Sequence, residues 1–386
     1  MNGVKRGDGL LAVILINYNF AVAVTTFLLT VYLKENLGFS GYQIGILFSA
    51  QAITGILAAF PAGIGNDRIN SRLLIFTGLF LQALCYILMA LTQQYIYFLI
   101  LFFCWTLSSW IFRLSTDVYL LKTDYNNQQS KRIGNYHAYR FIGLTLGTLV
   151  FGLCIERISF PVIFIASAVI SLLLIIPAWF LSPTPIAKVR FSDYHADFMD
   201  PQVLLFACWL LLFATHWGAE QASYPLFLKR NLHLSIMQVS WYLCTEYITI
   251  MVSVIFFGNY INSPNRLRIN TILGLFCSGI GHIGMIMEPI FVSVLFRIIH
   301  GFGDGCILLI MYKGMSDLFS IQRVGGNAGL INVFTMIGYI IGALIYSPLG
   351  EKYGYQHPLW LSGLITLCLM LPFLRQVFRD RPIPTV

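Results

Sequence analysis

The sequence has little charge. Only 10% of its 386 residues are Asp, Glu, Lys or Arg, with 16 acidic and 24 basic residues, whereas 58% are hydrophobic and the mean hydropathy is +0.76. Soluble domains carry about 25% charged residues, because these cover a surface that faces water. This composition excludes a soluble globular protein and predicts an all-α membrane protein whose surface faces lipid.

Several other signatures are absent. The eight cysteines all lie in apolar runs and none forms a CxxC pair, so no disulfide framework, zinc site or other metal site is predicted. No G-x-x-x-x-G-K-[ST] motif for ATP binding occurs, and no filter loop or ring of like charges as in channels. The net charge of +8 comes from scattered basic residues, which argues against a nucleic-acid partner. We expect neither a cofactor nor an enzymatic activity.

Apolar runs long enough to cross a bilayer recur along the chain. A membrane-spanning helix needs about 20 apolar residues. Runs of this length, bounded by charge or by Gly and Pro, predict twelve transmembrane helices. The predicted spans are 9–33, 41–64, 73–91, 95–121, 136–155, 160–181, 203–228, 235–258, 269–287, 289–311, 328–349 and 358–373.

A polar segment at 182–202 divides these spans into two groups of six. It carries three prolines and charges of both signs. We therefore predict two six-helix bundles, 1–181 and 203–386, joined by a central loop at 182–202. Sixteen Lys and Arg residues fall in connections on the side of this loop and five on the other. The positive-inside rule then predicts a multi-pass protein of the cytoplasmic (inner) membrane with both termini in the cytoplasm.

An internal repeat relates the two groups of spans. The segments 32–45 (YLKENLGFSGYQIG) and 227–240 (FLKRNLHLSIMQVS) share six identities at an offset of 195 residues, about half the chain. The same offset pairs Gly63 with Gly258 and Gly143 with Gly338. Six helices per repeat give both halves the same topology, which predicts bundles related by a pseudo-twofold axis along the membrane normal. Such bundles enclose a cavity and can rock about it.

A motif occupies the turn after the second span. Residues 63–72 read GIGNDRINSR and resemble the G-x-x-x-D-R-x-G-R-R signature of the major facilitator superfamily, with Asn70 and Ser71 as departures. In that family the motif acid belongs to a charge network that holds the cytoplasmic ends of the two halves together. The equivalent position in the second half is Asn262, so such a gate is expected in one half only. The resemblance implies gate residues Gly63, Asp67, Arg68 and Arg72, with Arg132 or Arg323 as partner.

A second segment resembles one branch of the same superfamily. Residues 136–143 (YHAYRFIG) are similar to the R-x-x-G segment of sugar/proton symporters like lactose permease and of phenylpropionate-type permeases. In that branch the arginine pairs with an acid near the end of the fourth span and helps to bind substrate, which implies Arg140 and Asp117. Arg113 lies four residues before Asp117 and forms an opposite-charge pair on one helix face. Polar and aromatic residues of the first span in each half are predicted to line the cavity: Asn17, Asn19, Trp217 and Gln221.

Ionisable residues inside the predicted spans cost about 2.5–3.5 kcal/mol each at the bilayer centre, so they mark functional sites by default. His216 and Glu220 share a face of the seventh span, and Arg297, His300 and Asp304 fall at i, i+3 and i+7 of the tenth. A desolvated carboxyl beside a cation can load and unload a proton near neutral pH. We predict that Asp304, His300 and Arg297 couple transport to protons, with Glu220 and His216 as second choice.

For each of these groups, a neutralised ion pair that only orients helices is the competing interpretation. Glu246 and His282 stand alone in their spans. We interpret them as polar residues close to a water-filled end of a span.

These features predict a monomeric secondary transporter, surrounded by lipid, that moves a small organic solute by proton-coupled alternating access. An efflux antiporter for drugs or metabolites with the same fold is one alternative. An intramembrane aspartyl protease is the other, because residues 301–304 (GFGD) spell the GxGD motif of those enzymes. They also need a second aspartate in a Tyr-Asp pair, and no Tyr-Asp dipeptide occurs in the sequence.

Overall fold

A computed structural model describes residues 2–27, 29, 32–123, 128–154, 157–261 and 263–378. Within these ranges the regular structure is helical and contains no strand, which confirms the predicted all-α class. One turn of π-helix, Tyr32–Asn36, precedes the second α-helix. The α-helices, numbered in chain order, are α1 Asn2–Phe27, α2 Gly41–Arg68, α3 Ser71–Leu91, α4 Tyr95–Lys122, α5 Gln129–Cys154, α6 Phe160–Trp179, α7 Phe191–Phe198, α8 Pro201–Arg230, α9 Ile236–Gly258, α10 Pro264–Gly284, α11 Ile290–Leu318, α12 Val324–Tyr353, α13 Gln356–Cys368 and α14 Leu371–Phe378.

Nine helical segments of the described ranges are long and apolar enough to cross a membrane. They are α2, α3, α4, α6, α8, α9, α11, α12 and the stretch Gln356–Leu374. Helix α1 contributes a shorter apolar stretch, Gly7–Ala23. Helices α5 and α10 also cover predicted spans, but their first turns carry Lys and Arg residues. The multi-pass membrane character is therefore confirmed, while the number of twelve spans stays a prediction.

The helices form two compact units. Unit 1 consists of Met1–Tyr125, Ile142–Asp197 and Phe319–Val333, and unit 2 of Asn126–Phe141, Phe198–Leu318 and Phe334–Val386. The beginning of α12 thus belongs to unit 1, and the beginning of α5 belongs to unit 2. The predicted division of the chain into bundles at 182–202 stays a prediction, and the segment predicted as a loop contains helix α7.

Both units pack their helices in the same pattern. In unit 1, α4 packs against α2 and α3, while α6 packs against α1 and α3. In unit 2, α11 packs against α9 and α10, while α13 packs against α8 and α10. These are equivalent helices at the 195-residue offset. The packing therefore confirms that the two halves repeat one topology.

The repeated segment builds the same helix start twice. The Ser40 hydroxyl accepts a hydrogen bond from the backbone N–H of Gln43, whose side chain accepts one from the backbone N–H of Ser40. Ser235 and Gln238 form the same capping box at the start of α9. A capping box satisfies two backbone donors that have no acceptor within the helix. Two of the six identities in the repeat are explained by this need.

Glycines allow the first and fifth helices of each repeat to touch. A Cβ atom at Gly143 of α5 would overlap the carbonyl oxygen of Ile16 in α1. A Cβ atom at Gly338 of α12 would overlap the carbonyl oxygen of Leu211 in α8. Small residues permit this close approach of helix backbones in membranes. Both contacts fall at the 195-residue offset, so the glycine pairs of the repeat have a packing role.

Candidate functional site

Ionisable side chains of α8, α9 and α11 meet inside unit 2. Arg297 of α11 is 1% exposed and forms ion pairs with both Glu220 of α8 and Glu246 of α9. Its guanidinium also lies over the ring of Tyr224, 4.3 Å from the centroid. A buried guanidinium needs acceptors for its N–H donors. The two carboxylates lie against Nη1 and Nη2, whereas Nε has no hydrogen-bond partner. Arg297 therefore ties three helices together.

Three imidazoles lie beside these carboxylates. The ring of His300 stacks on that of His282 with centroids 4.6 Å apart, and the His216 ring lies 5.7 Å from His300 and 5.3 Å from His282. His300 Nε2 is 3.6 Å from Glu220 Oε2. All three histidines are buried.

Asp304 connects the imidazoles to α10 and α8. Its Oδ1 atom lies 3.4 Å from His216 Nε2, and its Oδ2 atom lies 3.8 Å from His300 Nε2. The Trp217 indole N–H and the Ser278 hydroxyl each donate a hydrogen bond of 2.7 Å to the same carboxylate. These donors fix its orientation. We name the whole set the acid-histidine cluster, which consists of His216, Glu220, Glu246, His282, Arg297, His300 and Asp304.

The acid-histidine cluster carries an excess of negative charge when its imidazoles are neutral. The carboxylates of Glu220 and Glu246 pair with the one guanidinium, and that of Asp304 lies beside His216 and His300. With neutral imidazoles its net charge is −2, which is costly to bury in a low-dielectric interior. The imidazole nitrogens and carboxylate oxygens are groups that bind protons or metal ions. The arrangement can therefore hold and release small cations.

All five residues predicted for proton coupling belong to this cluster: His216, Glu220, Arg297, His300 and Asp304. Their coupling role stays a prediction. The interpretation of Glu246 and His282 as isolated residues near water-filled ends is wrong, because both are buried and contact other members of the cluster. Only their ionisable nature inside a predicted span marked these two in the sequence, since their partners lie on other helices.

Of the side chains predicted to line a cavity, Trp217 joins the cluster through its hydrogen bond to Asp304. Gln221 is exposed. Asn17 is exposed and Asn19 is buried, and each amide donates to the carbonyl four residues earlier in α1, at 2.9 and 2.8 Å. The role of these residues in substrate binding stays a prediction.

The residues suggested by the symporter resemblance lie in different units. Asp117 is buried in α4 of unit 1. Arg140 belongs to unit 2, where its guanidinium donates to the Tyr312 hydroxyl at 3.4 Å. Arg113 is exposed and lies over the ring of Trp110, 5.2 Å from the centroid. The pairing of Arg140 with Asp117 therefore stays a prediction.

A second polar site surrounds Asp67 near the end of α2 in unit 1. Its buried carboxylate lies 2.9 Å from Lys122 Nζ and accepts hydrogen bonds from the Gly325 and Gly326 N–H groups at 3.0 and 2.7 Å. These amides belong to the first turn of α12, where N–H groups lack acceptors within the helix and attract anions. A Cβ atom at Gly63 would overlap the carbonyl oxygen of Gly325. Glycine at both positions lets the carboxylate reach the amides.

Helix α7 completes this site. The Tyr194 hydroxyl donates to Asp67 Oδ2 at 2.8 Å, and Asp197 accepts hydrogen bonds from Arg323 at 2.6 and 2.8 Å and from Asn327 at 2.7 Å. Burial, together with the charge of Asp67, raises the pKa of Tyr194, so its hydroxyl remains a donor. The bond to Asp197 raises the pKa of Arg323. We name this set the gate cluster: Asp67, Lys122, Tyr194, Asp197, Arg323, Gly325 and Gly326.

The two motif arginines hold the central segment of the chain. Arg68 donates to the carbonyl of Val189 at 2.9 Å. Arg72 donates to the carbonyls of Trp179 and Leu181 at 3.4 and 3.3 Å. Both side chains therefore position the segment that leads into α7.

The structure gives Asp67 partners that the sequence did not indicate. Its cation is Lys122, whereas Arg323 pairs with Asp197. Arg132, the other suggested partner, is buried in unit 2. Lys122 carried no signal beyond its position at a span end, and α7 lies in a segment that reads as a polar loop. The gating role of these residues stays a prediction, and Asn262, the counterpart of Asp67, lies outside the described residues.

Comparisons with known proteins agree with this architecture. The protein-family model described as Major Facilitator Superfamily matches residues 10–223 and, a second time, residues 210–385. The crystal structure of the human organic anion transporter MFSD10 (TETRAN) is similar, with a TM-score of 0.80 and 14% sequence identity. The similarity covers 96% of this chain and 99% of that chain. At this identity it shows a shared fold alone. No curated protein is similar enough in sequence to match.

Proposed function

The chain belongs to the Major Facilitator Superfamily, and from this membership we propose that it moves a small organic solute across the membrane by alternating access coupled to protons. The family and the fold point to a secondary transporter rather than an enzyme. The acid-histidine cluster is the observation that carries the proposal of proton coupling. We further propose a monomer in the inner membrane, and the positive-inside count supports the part of this proposal that places both termini in the cytoplasm.

The coupling proposal gives roles to five residues of the cluster. The positive charge of Arg297 neutralises one of the three negative charges. Its ion pairs with Glu220 and Glu246 link α11 to α8 and α9. Protons taken up around Asp304 and His300 reduce the remaining negative charge. Since buried charge is costly, proton uptake changes the relative free energy of conformations that bury the cluster and conformations that hydrate it. A proton gradient can thereby drive the conformational cycle.

The gate cluster supports the proposal of alternating access. It joins α2 of the first repeat to the start of α12 of the second repeat, within unit 1, through contacts to one buried carboxylate. We propose that these contacts close the cytoplasmic side and break once in each cycle. In this proposal Gly63 permits the close approach, while Arg68 and Arg72 hold the central segment in place.

The solute is proposed by class only. A compound with hydrogen-bonding groups and a ring or apolar face suits the residues predicted to line a cavity, which are Asn17, Asn19, Trp217 and Gln221. The structurally similar MFSD10 is described as an organic anion transporter, so organic anions are the first class to test. Efflux of drugs or metabolites is the alternative direction of transport.

The test begins with thermal-shift screening of the purified protein against aromatic acids, sugars, nucleosides and peptides. Uptake of the compound that stabilises most is then measured in proteoliposomes with and without a pH gradient. The wild type is expected to accumulate it only with the gradient. Asp304→Asn is expected to abolish accumulation and to retain exchange at equal concentrations. Asp317→Asn, an exposed acid of the same helix, is the matched control and should behave as wild type. Unimpaired uphill uptake by Asp304→Asn rejects the coupling assignment.

A further inference from the structure

We infer that the acid-histidine cluster is also a binding site for one divalent transition-metal ion, with Zn²⁺ as the ion that its donors suit best. The four ligands are His216 and Glu220 of α8 and His300 and Asp304 of α11. The inference concerns the same cluster as the proposed function, but it does not depend on solute transport or on proton coupling. It revises the expectation of no metal site, which considered only cysteine spacings along the chain.

The four residues form two matching pairs. His216 and Glu220 are four residues apart on α8, and His300 and Asp304 are four residues apart on α11. Residues at this spacing lie on the same helix face, so each helix presents one imidazole and one carboxylate. One ligand atom from each of the four residues lies within 4.8 Å of the other three. Two nitrogen and two oxygen donors are a set that Zn²⁺ binds with tetrahedral geometry.

The spacing of the ligand atoms is close to what such an ion needs. Bonds of about 2.0–2.1 Å in a tetrahedron separate the ligand atoms by about 3.3 Å. His216 Nε2 and Asp304 Oδ1 are 3.4 Å apart. His300 Nε2 is 3.6 Å from Glu220 Oε2 and 3.8 Å from Asp304 Oδ2. Side-chain adjustments of a few tenths of an ångström bring these pairs to metal-binding separations. The remaining pairs of ligand atoms lie within 4.8 Å and need a shift of about 1.5 Å at most.

The imidazole nitrogens that face the carboxylates have no hydrogen-bond partner. His216 Nδ1 lies 2.7 Å from the carbonyl oxygen of Phe213, and His300 Nδ1 lies 3.1 Å from that of Ser278. A carbonyl oxygen only accepts, so Nδ1 carries the proton and Nε2 of the neutral ring presents a lone pair. Both Nε2 atoms are buried and lack a hydrogen-bond partner. Each lone pair faces carboxylate oxygens, and a cation between them resolves this conflict.

The charge of the site favours a divalent ion. Three carboxylates and one guanidinium leave a net charge of −2 when the imidazoles are neutral. One divalent cation neutralises this charge at a single point, whereas protons alone neutralise it only if two are bound. If two protons occupy the site instead, the wild type binds no Zn²⁺ in the test below.

The groups around the ligands are those that orient ligands in known metal sites. Metal-binding histidines usually donate their second ring N–H to a carbonyl or carboxylate, and ligating carboxylates accept further hydrogen bonds. Here Trp217 and Ser278 donate to Asp304, and Arg297 holds Glu220. The Glu220 side chain is 16% exposed, whereas those of the other three ligands are 5% exposed or less. Glu220 therefore marks the side from which an ion enters.

The test measures metal binding directly. Full-length protein in detergent is stripped with EDTA and titrated with Zn²⁺, and separately with Mg²⁺, in a calorimeter. We expect one Zn²⁺ per chain and no saturable binding of Mg²⁺, which demands octahedral oxygen ligands. Asp304→Asn and His216→Gln are each expected to weaken Zn²⁺ binding about tenfold or more. A matched control replaces the three exposed histidines, His195, His233 and His357, with Ala and should bind Zn²⁺ as wild type does.

Cobalt gives a readout that needs no variant. Co²⁺ bound to the wild type is expected to show the intense visible absorption of tetrahedral coordination, and Zn²⁺ is expected to remove it. The inference is overturned if the wild type binds no Zn²⁺, which leaves protons as the occupant. It is also overturned if binding follows the exposed histidines or if Co²⁺ shows only a weak octahedral spectrum. Zinc binding without proton-driven uptake supports the metal site and rejects the coupling proposal, whereas uptake without zinc binding does the reverse.

Discussion

The equivalent helices α4 and α11 have different interiors. At the 195-residue offset their residues pair as Phe102 with Arg297, Trp105 with His300, and Ser109 with Asp304. In α4 the two rings stack with centroids 5.5 Å apart and belong to a hydrophobic core. In α11 the same positions build the centre of the acid-histidine cluster. One pattern of helix packing therefore accommodates either an aromatic core or a buried ionic site.

In a second pair of equivalent contacts, α12 with α2 and α5 with α9, the buried charges lie in unit 1 instead of unit 2. In unit 1, the approach of α12 to α2 is accompanied by the buried carboxylate of Asp67 and its donors. In unit 2, the equivalent approach brings Gly134 of α5 against Gly258 of α9, with the Ser130 hydroxyl 3.4 Å from the carbonyl of Ile261. Glycine is retained in both contacts, whereas Asp67 and Lys122 belong to unit 1. The two contacts thus share a close approach of glycine backbones but differ in the polar groups around it: a buried ion pair in unit 1 and a hydroxyl–carbonyl contact in unit 2.

The largest expected effect tests the contrast between the two interiors. Arg297→Met leaves the buried carboxylates of Glu220 and Glu246 without a cation, and we expect a loss of about 3–5 kcal/mol in stability. Phe102→Leu at the equivalent position is expected to cost less than about 2 kcal/mol. Thermal unfolding followed by tryptophan fluorescence compares the two variants. Equal losses contradict the view that the charges of unit 2 form an interdependent set.

The next effect concerns the gate cluster. Asp67→Asn leaves Lys122 without its carboxylate in a buried site, a change that costs about 3 kcal/mol in comparable pairs. We expect transport turnover to fall about tenfold or more while the KM for the solute is unchanged, because the gate and not the binding site is altered. Glu351→Gln, an exposed acid, serves as the control. A normal turnover number in Asp67→Asn removes the gate from the mechanism.

Tyr194→Phe is expected to have a smaller effect on the same gate. It removes one hydrogen bond to a charged group, worth about 1.5–3 kcal/mol, and leaves the other donors to Asp67 in place. The pKa of Tyr194 is raised in the folded protein. Its hydroxyl therefore donates at all pH values below its ordinary pKa of about 10, and the contribution is lost only above that range. The stability difference from wild type should then be constant from about pH 6 to about pH 9. A difference that disappears within this range contradicts the assignment of the hydroxyl as donor.

The smallest effect tests what the repeats have in common. Ser40→Ala and Ser235→Ala each remove the serine of a capping box, and each is expected to cost about 1 kcal/mol. Because both boxes have the same geometry, the shifts in the unfolding transition should be similar. Ser159→Ala, at an N-cap position that has no side-chain cap hydrogen bond, provides a reference. Clearly unequal shifts for Ser40 and Ser235 indicate that the repeats have diverged in their helix starts as well.

The sequence predicts the local features of this molecule well. The apolar runs predict the helices, and the identities at Ser40, Gln43, Ser235 and Gln238 predict equivalent helix starts, because capping depends on neighbours in the chain. The pairs on α8 and α11 are also predictable, since residues four apart share a helix face. These are all interactions within one helix or one turn.

Contacts between helices are the part that the sequence does not reveal. Glu246 joins Arg297 across 51 positions of the chain, and Tyr194 joins Asp67 across 127. No periodicity in the sequence encodes such pairs, because the relative rotation and height of packed helices determine them. Lys122 illustrates the point, since a basic residue at a span end is typical of positive-inside charge, yet here it is buried beside a carboxylate.

The docking of the central segment has a practical consequence for protein engineering. The Ala187 N–H donates to the carbonyl of Asp67 at 2.8 Å, the Thr184 hydroxyl accepts from the N–H of Ser71 at 2.9 Å, and Lys122 donates to the carbonyl of Pro185 at 3.3 Å. Linkers between repeats are the usual choice for inserted tags, protease sites or split-protein junctions. In this protein we expect an insertion between 184 and 190 to disturb these hydrogen bonds and with them the turn at 63–72. The connection after α8, where Asn231 and His233 are exposed, leaves those bonds untouched and is the better position for a reporter.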